Sequence, residues 1–503
     1  MENVVCVIDV GSTALRMVIL KVRKDGEYER LDRAIRPVTL GRDIFIERRI
    51  SPQSMVQIIH IFTNFAELME AWAITPEQAY VFATSTIREA RNRDIFVDRI
   101  EKQTNFHMKI LDGIEENHLT YIAVNHAVKN FHRPLSRSNS IIMEVGGGTT
   151  EMMLMENGKM RMAHNLRMGT LRLEQQFKYR DPTNISLENF IQEQMRPSIA
   201  SIQAAGNLGA IQQFIMVGGD ARLAARRIGT EQDDHYALIA RNDFFDWVNT
   251  MKNMSSEEIV GKLGIGYNDV DGLLPALLIF KVFLEETSAG EIIVPDVSIR
   301  EGILLKNVVA QNSEFDQDFT DQVIAFALNL AQHYHTDAKH MQRVRELSLT
   351  VYDKICSFHG LGNRERLYLE VSGILHAVGY FINQFEYHKH SQYIVANSEI
   401  FGLTTEEIQL VANIIRYQEE DFPTNSHPLY AALSRGQRLI IMKLAAILRL
   451  ANALARNLYS EDTTIEMKDS TIFISGNYVF QSDRLSQQIS FFEDVFGYKI
   501  TAR

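Results

Sequence analysis

Two stretches of this chain carry one pattern: an apolar strand ending near an acid, a glycine-rich turn, and a second apolar strand. The first runs VVCVI over residues 4–8, meets Asp9, turns through Gly11-Ser12-Thr13 and resumes as LRMVILKV over residues 15–22. The second is SIIMEVGGGTTEMMLM over residues 140–155, with Glu144 ahead of Gly146-Gly147-Gly148-Thr149-Thr150. β-Branched, apolar runs broken by glycine and small polar residues read as β-hairpins. Asp9-Val10-Gly11 aligns with Glu144-Val145-Gly146, so the two acids stand 135 residues apart. That spacing is about one domain, too long for a solenoid repeat, and it predicts a duplicated α/β domain with a cleft between two lobes.

Between and after the hairpins, helices and strands alternate. Apolar residues three and four apart predict a helix over 51–73, and AYVFA over 79–83 reads as a strand. A helix over 186–205, a strand-to-turn segment over 214–219 and a strand-turn-helix over 292–305 follow, an order that argues for α/β layers. From about residue 307 helical periodicity dominates through 456. The last stretch, 463–503, offers the alternating segments TTIEM, TIFIS and NYVF and then a helix. The expected division is residues 1–125, 126–306, 307–460 and 461–503, and a chain of 503 residues has room for about three domains.

The composition, 46% hydrophobic and 23% charged, is that of a globular chain and excludes disorder or a disulfide miniprotein. A net charge of −11 opposes non-specific binding to nucleic acid or to an anionic membrane, so neither is expected as a partner. Any polyanionic ligand must meet a local basic site. Cys6 and Cys356 are the only cysteines, which gives no disulfide framework and no CxxC pair, and suits a reducing cytoplasm. The N-terminus lacks the basic and apolar regions of a secretory signal, and the apolar run at 273–280 is far short of the roughly 20 residues that span a bilayer. A soluble protein is expected.

Tight turns of Gly, Ser and Thr expose backbone N–H groups that bind phosphate oxygens. A carboxylate two residues ahead of each turn suits Mg²⁺, which is held by one or two carboxylates together with substrate phosphate and water. One such turn alone is as well explained as an ordinary hairpin turn; two of them around one cleft suit phosphoryl transfer. With neither a GxxxxGK[ST] loop nor a GxGxxG motif, the remaining candidate with twin hairpins is the actin, sugar kinase and Hsp70 superfamily.

The residues match something narrower. VIDVGSTALRMVI, ATSTIREARN (83–92), LDGIEENHLTYIAV (111–124), MEVGGGTTEM, RMGTLRL (167–173) and PDVSIREGILL (295–305) occur in one order and spacing, and the chain resembles the exopolyphosphatase / guanosine pentaphosphate phosphohydrolase (Ppx/GppA) family. The resemblance is specific over residues 4 to about 305 and continues more weakly through ILHAVGYFIN, HKHSQYI and IIRYQ. It implies duplicated actin-like (ASKHA, ribonuclease H-like) ATPase-type α/β domains around a cleft, a mostly helical HD-like domain, and a small C-terminal α/β segment. It implies hydrolysis of the terminal phosphate of inorganic polyphosphate, or of the 5′ γ-phosphate of guanosine pentaphosphate, with Mg²⁺ and a carboxylate that activates water. The matching carboxylate is Glu116, with Glu115 as its surface neighbour. Asp9, Glu144 and Glu151 match metal-binding acids, and Glu151 also a catalytic one. Ser12, Thr13, Gly146, Gly147, Gly148, Thr149, Arg88, Arg167, Gly219 and Arg300 match phosphate-contacting positions.

The chain departs from the family where Glu144 replaces Asp, where Asp220 after Gly218-Gly219 replaces Thr, and where Asn117-His118 replace Ala-Arg. In the helical domain the His-Asp doublet of HD phosphohydrolases reads His376-Ala377, and Asn452 stands where an acid is expected. Too few hard ligands remain there for a dinuclear site, so His376, His388 and His390 read as core or polyphosphate-contacting histidines. The motifs leave open polyphosphate or guanosine penta- and tetraphosphate as ligand, and a low-turnover binding protein remains an alternative. The resemblance further implies a homodimer.

Overall fold

The structure, a computed structural model, describes residues 3–23, 28–129, 135–178, 186–232, 235–309, 313–419, 422–457, 464–468, 471–475 and 483–502. The chain divides into two compact units, residues 1–316 and 317–503, where the sequence pattern suggests four segments.

Two sheets organise the first unit. β1 (Asn3–Val10), β2 (Ala14–Val22), β3 (Tyr28–Pro37), β4 (Tyr80–Ala83) and β5 (Met108–Ile110) lie in the order β3-β2-β1-β4-β5. The first three form an antiparallel meander, and β4 and β5 run parallel to β1. β6 (Ser140–Val145), β7 (Thr150–Glu156), β8 (Lys159–Leu166), β9 (Gln213–Val217), β10 (Thr230–Glu231), β11 (Tyr236–Ala240) and β12 (Glu291–Pro295) lie in the order β10-β11-β12-β9-β6-β7-β8. The run β8-β7-β6-β9-β12 repeats the order and the strand senses of the first sheet. Registers match as well: Asp9 lies between Arg16 and Phe82, Glu144 lies between Glu151 and Val217, and each equivalent position is 135 residues on. Both turns close with the same bond, Gly11 N–H to the Ala14 carbonyl at 3.1 Å and Gly146 N–H to the Thr149 carbonyl at 2.9 Å.

Amphipathic helices cover the sheets. α1 (Pro52–Glu70) starts at Ser51, whose hydroxyl accepts the Ser54 N–H, and with α2 (Arg93–Thr104) it buries Phe62, Phe65 and Phe96 against Ile8, Val10 and Leu15. α3 (Gly113–Ala127) follows β5. α4 (Leu187–Ala205), α5 (Gly219–Ile228) and α6 (Tyr267–Glu285) enclose the second sheet, packing Phe190, Leu223 and Phe280 on Ile141, Met143 and Phe214. α7 (Ile299–Leu304) follows β12. Leu119 of α3 packs with Ile303 of α7 on Val5, Val7 and Phe82 of the first sheet, while α3 also touches β7 and β8 of the second. Burying a leucine contributes about 2 kcal/mol, so α3 is fixed at the junction of the two sheets.

The second unit is helical: α8 (Ala338–Lys354), α9 (Asn363–Leu375), α10 (Tyr387–Ala396), α11 (Thr405–Arg416) and α12 (Arg435–Asn457). Arg364 at the start of α9 grips both oxygens of Glu407 on α11 at 2.7 Å. A small sheet, β13 (Thr464–Lys468), β14 (Thr471–Ser475) and β15 (Lys499–Ala502), carries α13 (Asp483–Phe496) between its last two strands. The expected strand NYVF lies outside the described residues. His376 is fully buried, with Nδ1 bonded to the Gly373 carbonyl at 2.8 Å and Nε2 without a partner, and burial pushes its pKa down to about 3. It is a neutral core imidazole. Among the described residues no helix is long and apolar enough to cross a membrane.

Candidate active site

The two glycine-rich turns meet. A Cβ on Gly147 would stand 2.5 Å from Ser12 Oγ, so only glycine lets the second turn approach the first this closely. Further ties run between the same two loops' neighbourhoods. Thr149 Oγ1 donates to Ser85 Oγ at 3.2 Å, and Arg172 donates to the Gly148 carbonyl at 3.2 Å and to Glu89 at 2.6 Å while lying over the Phe45 ring. Ser12 and Thr13 are held by their carbonyls, which accept the Gly41 and Val38 N–H groups.

Beside the turns stand Asp9, Glu116, Glu144 and Glu151. Asp112 caps α3, its carboxylate accepting the Glu115 N–H at 2.8 Å, and the positive end of the helix favours acids in its first turn. Glu116 sits there, 6% exposed, paired with Arg88, whose guanidinium also donates to the Leu111 carbonyl at 2.6 Å. Burial pushes the Glu116 pKa up to about 7, against the opposing charge of Arg88. Burial, then the neighbouring charges of Glu116 and Glu144, raises Glu151 well above the carboxylate range. Burial also raises Asp9 and Glu144. Arg16 and Arg300 oppose that rise at Asp9; at Glu144 the Thr120 hydroxyl, donating at 3.0 Å, opposes it together with Arg222 and Arg300.

The duplication makes these pairs unequal. Asp9 faces Arg16 across the strands, with 3.8 Å between the charged atoms, whereas Glu144 faces a second acid, Glu151. Opposed like charges destabilise a sheet, so the second lobe holds an arrangement that stability alone does not favour.

Asp9, Glu144, Glu151, Glu116, Arg88 and Arg300 thus act on one another, beside loops carrying Ser12, Gly146, Gly147, Gly148 and Thr149. Gly219 opens α5 behind Gly218, which takes φ 117°, and it is exposed. Arg167 is exposed. Glu115 is not the surface neighbour its sequence position suggests: it is 8% exposed and bonded to Lys109 at 2.5 Å, because the lysine lies over it. Asn117 and His118 are buried as well. Among the described residues no three of His, Cys, Asp or Glu stand together as a group that could hold a metal ion. Glu151 feels the charge of Glu116, and Asp9 and Glu144 are hard oxygen donors of the kind Mg²⁺ takes. Sequence reading passed over Thr120, Arg172, Arg222 and Asn165, whose Nδ2 donates to Glu151 at 3.2 Å. Thr120 alone carried a local signal, four residues after Glu116 on one helix face.

A duplicated sheet whose first strand in each half ends at a paired acid and glycine-rich turn defines an α/β protein of the actin-like fold. Two solved structures share it: an exopolyphosphatase from Cytophaga hutchinsonii (TM-score 0.54, 21% identity, 60% of this chain and 97% of that one) and the Ppx/GppA family member of Aquifex aeolicus (TM-score 0.52, 22% identity, 62% and 99%). A guanosine-5′-triphosphate,3′-diphosphate pyrophosphatase of Pseudoalteromonas translucida is 24% identical over 96% of this chain and 93% of its own length. The Ppx/GppA phosphatase family model matches residues 18–310, and that of Ppx/GppA phosphatase domain III matches residues 325–482. The chain belongs to the Ppx/GppA phosphatase family, and it is a hydrolase of phosphoanhydride bonds.

Proposed function

We propose that this chain is an exopolyphosphatase that releases terminal orthophosphate from inorganic polyphosphate. The observation that carries the reading is Glu116, a buried carboxyl brought to a pKa of about 7 beside Arg88 and Glu144, the acid that precedes the second glycine-rich turn. A general base works best with a pKa near the operating pH, and Glu116 takes the proton of the water that attacks the terminal phosphorus in line. The backbone N–H groups of the two turns cradle the phosphate oxygens. Arg88 exchanges its bond to Glu116 for one to the substrate, where its guanidinium fork fits phosphate oxygens. Arg300 continues the positive track, which reconciles the net charge of −11 with a polyanionic substrate. Asp9 and Glu144 are the residues that would hold Mg²⁺, which when bound neutralises charge on the phosphate oxygens. Gly219, Arg167 and Thr13 contribute more distant phosphate contacts, a homodimer is the expected assembly, and the two lone cysteines suit the cytoplasm.

A second reading, hydrolysis of the 5′ γ-phosphate of guanosine pentaphosphate, is favoured by the relative that matches over almost its full length. Phosphate release by the purified protein in Mg²⁺, measured in parallel on long-chain polyphosphate and on guanosine pentaphosphate, separates them. A higher kcat/KM on polyphosphate is the expected result. Turnover of the nucleotide alone gives the second reading, and tight binding without release of phosphate from either substrate overturns both in favour of a low-turnover binding protein.

A further inference from the structure

Across the second sheet, β9, β6, β7 and β8 align Val217, Glu144, Glu151 and Asn165 in one transverse row. Directly opposed residues of neighbouring strands share a face, so Asn165 extends the side on which Glu144 and Glu151 stand. Its Nδ2 donates to Glu151 Oε1 at 3.2 Å. The same amide rests against the start of α3. A Cβ on Gly113 would come within 2.5 Å of Asn165 Nδ2 and 3.0 Å of its Cγ. Gly113 is the first residue of α3, one after the capping Asp112 and three before Glu116.

We propose that Asn165 is a positioning residue that locks the Glu151 carboxyl to the first turn of α3, and through it to Glu116. The inference rests on the reading of Glu116 as the base of phosphoanhydride hydrolysis. No residue of any family motif named above makes this connection. Its chemistry is specific: an amide offers Glu151 a donor yet adds no charge to a face that already holds two acids, whereas an aspartate of the same shape would add a third. The contact with Gly113 is equally specific, because any side chain there displaces the amide. In the first sheet the corresponding row runs Phe82, Asp9, Arg16 and Ile35, with the exposed Ile35 in the place of the amide. The bridging device belongs to the second lobe alone.

Asn165→Leu keeps the volume and loses the donor, Asn165→Asp keeps the shape and adds charge, and Gly113→Ala pushes on the amide from the other side. Each is expected to lower kcat by roughly 10- to 100-fold with KM within about 3-fold, since a small displacement of a reacting group costs turnover more than binding. Asn165→Leu combined with Gly113→Ala should be no worse than the poorer single variant, because both break one contact. Backbone amide exchange over residues 114–117, read by mass spectrometry on the full chain, should rise in all three variants while exchange in β6 stays unchanged. Wild-type kcat in Asn165→Leu with unchanged exchange overturns the proposal, as do fully additive losses in the double variant. A wild type that hydrolyses neither substrate defeats the proposed function, while faster exchange at 114–117 still upholds Asn165 as the link, so the two failures are distinct.

Discussion

Glu116 is a carboxylic acid placed where water cannot stabilise its charge, and the consequence is a rate that depends on pH in a stated direction. Burial raises its folded pKa to about 7, so the base is protonated and idle below that pH and ionised above it. We expect kcat/KM to rise about tenfold per pH unit below 7 and to level off above it; a profile flat from pH 5.5 to 8.5 contradicts the assignment. Arg88 opposes that shift, so Arg88→Met should move the rising limb to higher pH and raise KM together, which steady-state kinetics across the same range will detect. At this scale the glycine-rich turns pointed to Asp9 and Glu144, while Glu116 and Glu151 were pointed to only by the family resemblance. The sequence did not reveal the pairing of Arg88 with Glu116, which needs the turn after β4 to meet the start of α3, or the covering of Glu115 by Lys109. Runs of acids at a helix start are usually solvated, and only the tertiary packing here removes the water.

At the scale of elements, the hairpins were legible because strand, turn and strand are contiguous and each carries its own apolar alternation. What the hairpins do to each other was not legible, because Ser12 and Gly147 are brought together by the fold of a whole lobe. Gly147→Ala tests that contact. Its Cβ would stand 2.5 Å from Ser12 Oγ and 3.1 Å from Leu171 Cδ1, an overpacking that costs roughly 1–3 kcal/mol and should lower Tm and kcat/KM together. Adding Ser12→Gly to Gly147→Ala should recover part of the loss, as measured by thermal melts and phosphate release; equal Tm for Gly147→Ala and wild type contradicts the close approach. β15 escaped the sequence reading for another reason: four residues after a helix carry too little periodicity to register, and their pairing with β14 comes from the sheet.

For the whole molecule, the offset of 135 residues between the two acids extends to the strand opposite each of them, which is why one repeated motif disclosed a duplicated topology. The division between residues 316 and 317 lies shortly after the change, at about residue 307, from alternating strands and helices to unbroken helical periodicity. Stability follows from the acids as well. Folding raises the Glu116 pKa from an ordinary 4.5 to about 7, so the folded state binds the proton more tightly than the unfolded state does. The stabilisation is full below about pH 4.5 and is lost as pH rises through 7, amounting to up to about 3 kcal/mol. The Tm of Glu116→Gln relative to wild type should therefore rise between pH 5 and pH 8.5, and a difference independent of pH contradicts the buried acid. Glu116→Gln also provides the sharpest test of the hydrolytic reading, by phosphate release in Mg²⁺ at pH 8 with circular dichroism as the check on folding. A folded variant whose kcat falls by about 10²–10⁴ at near wild-type KM is the expected result, the range that a lost general base accounts for. A folded Glu116→Gln enzyme that still turns over within a few-fold of wild type would remove Glu116 from the chemistry.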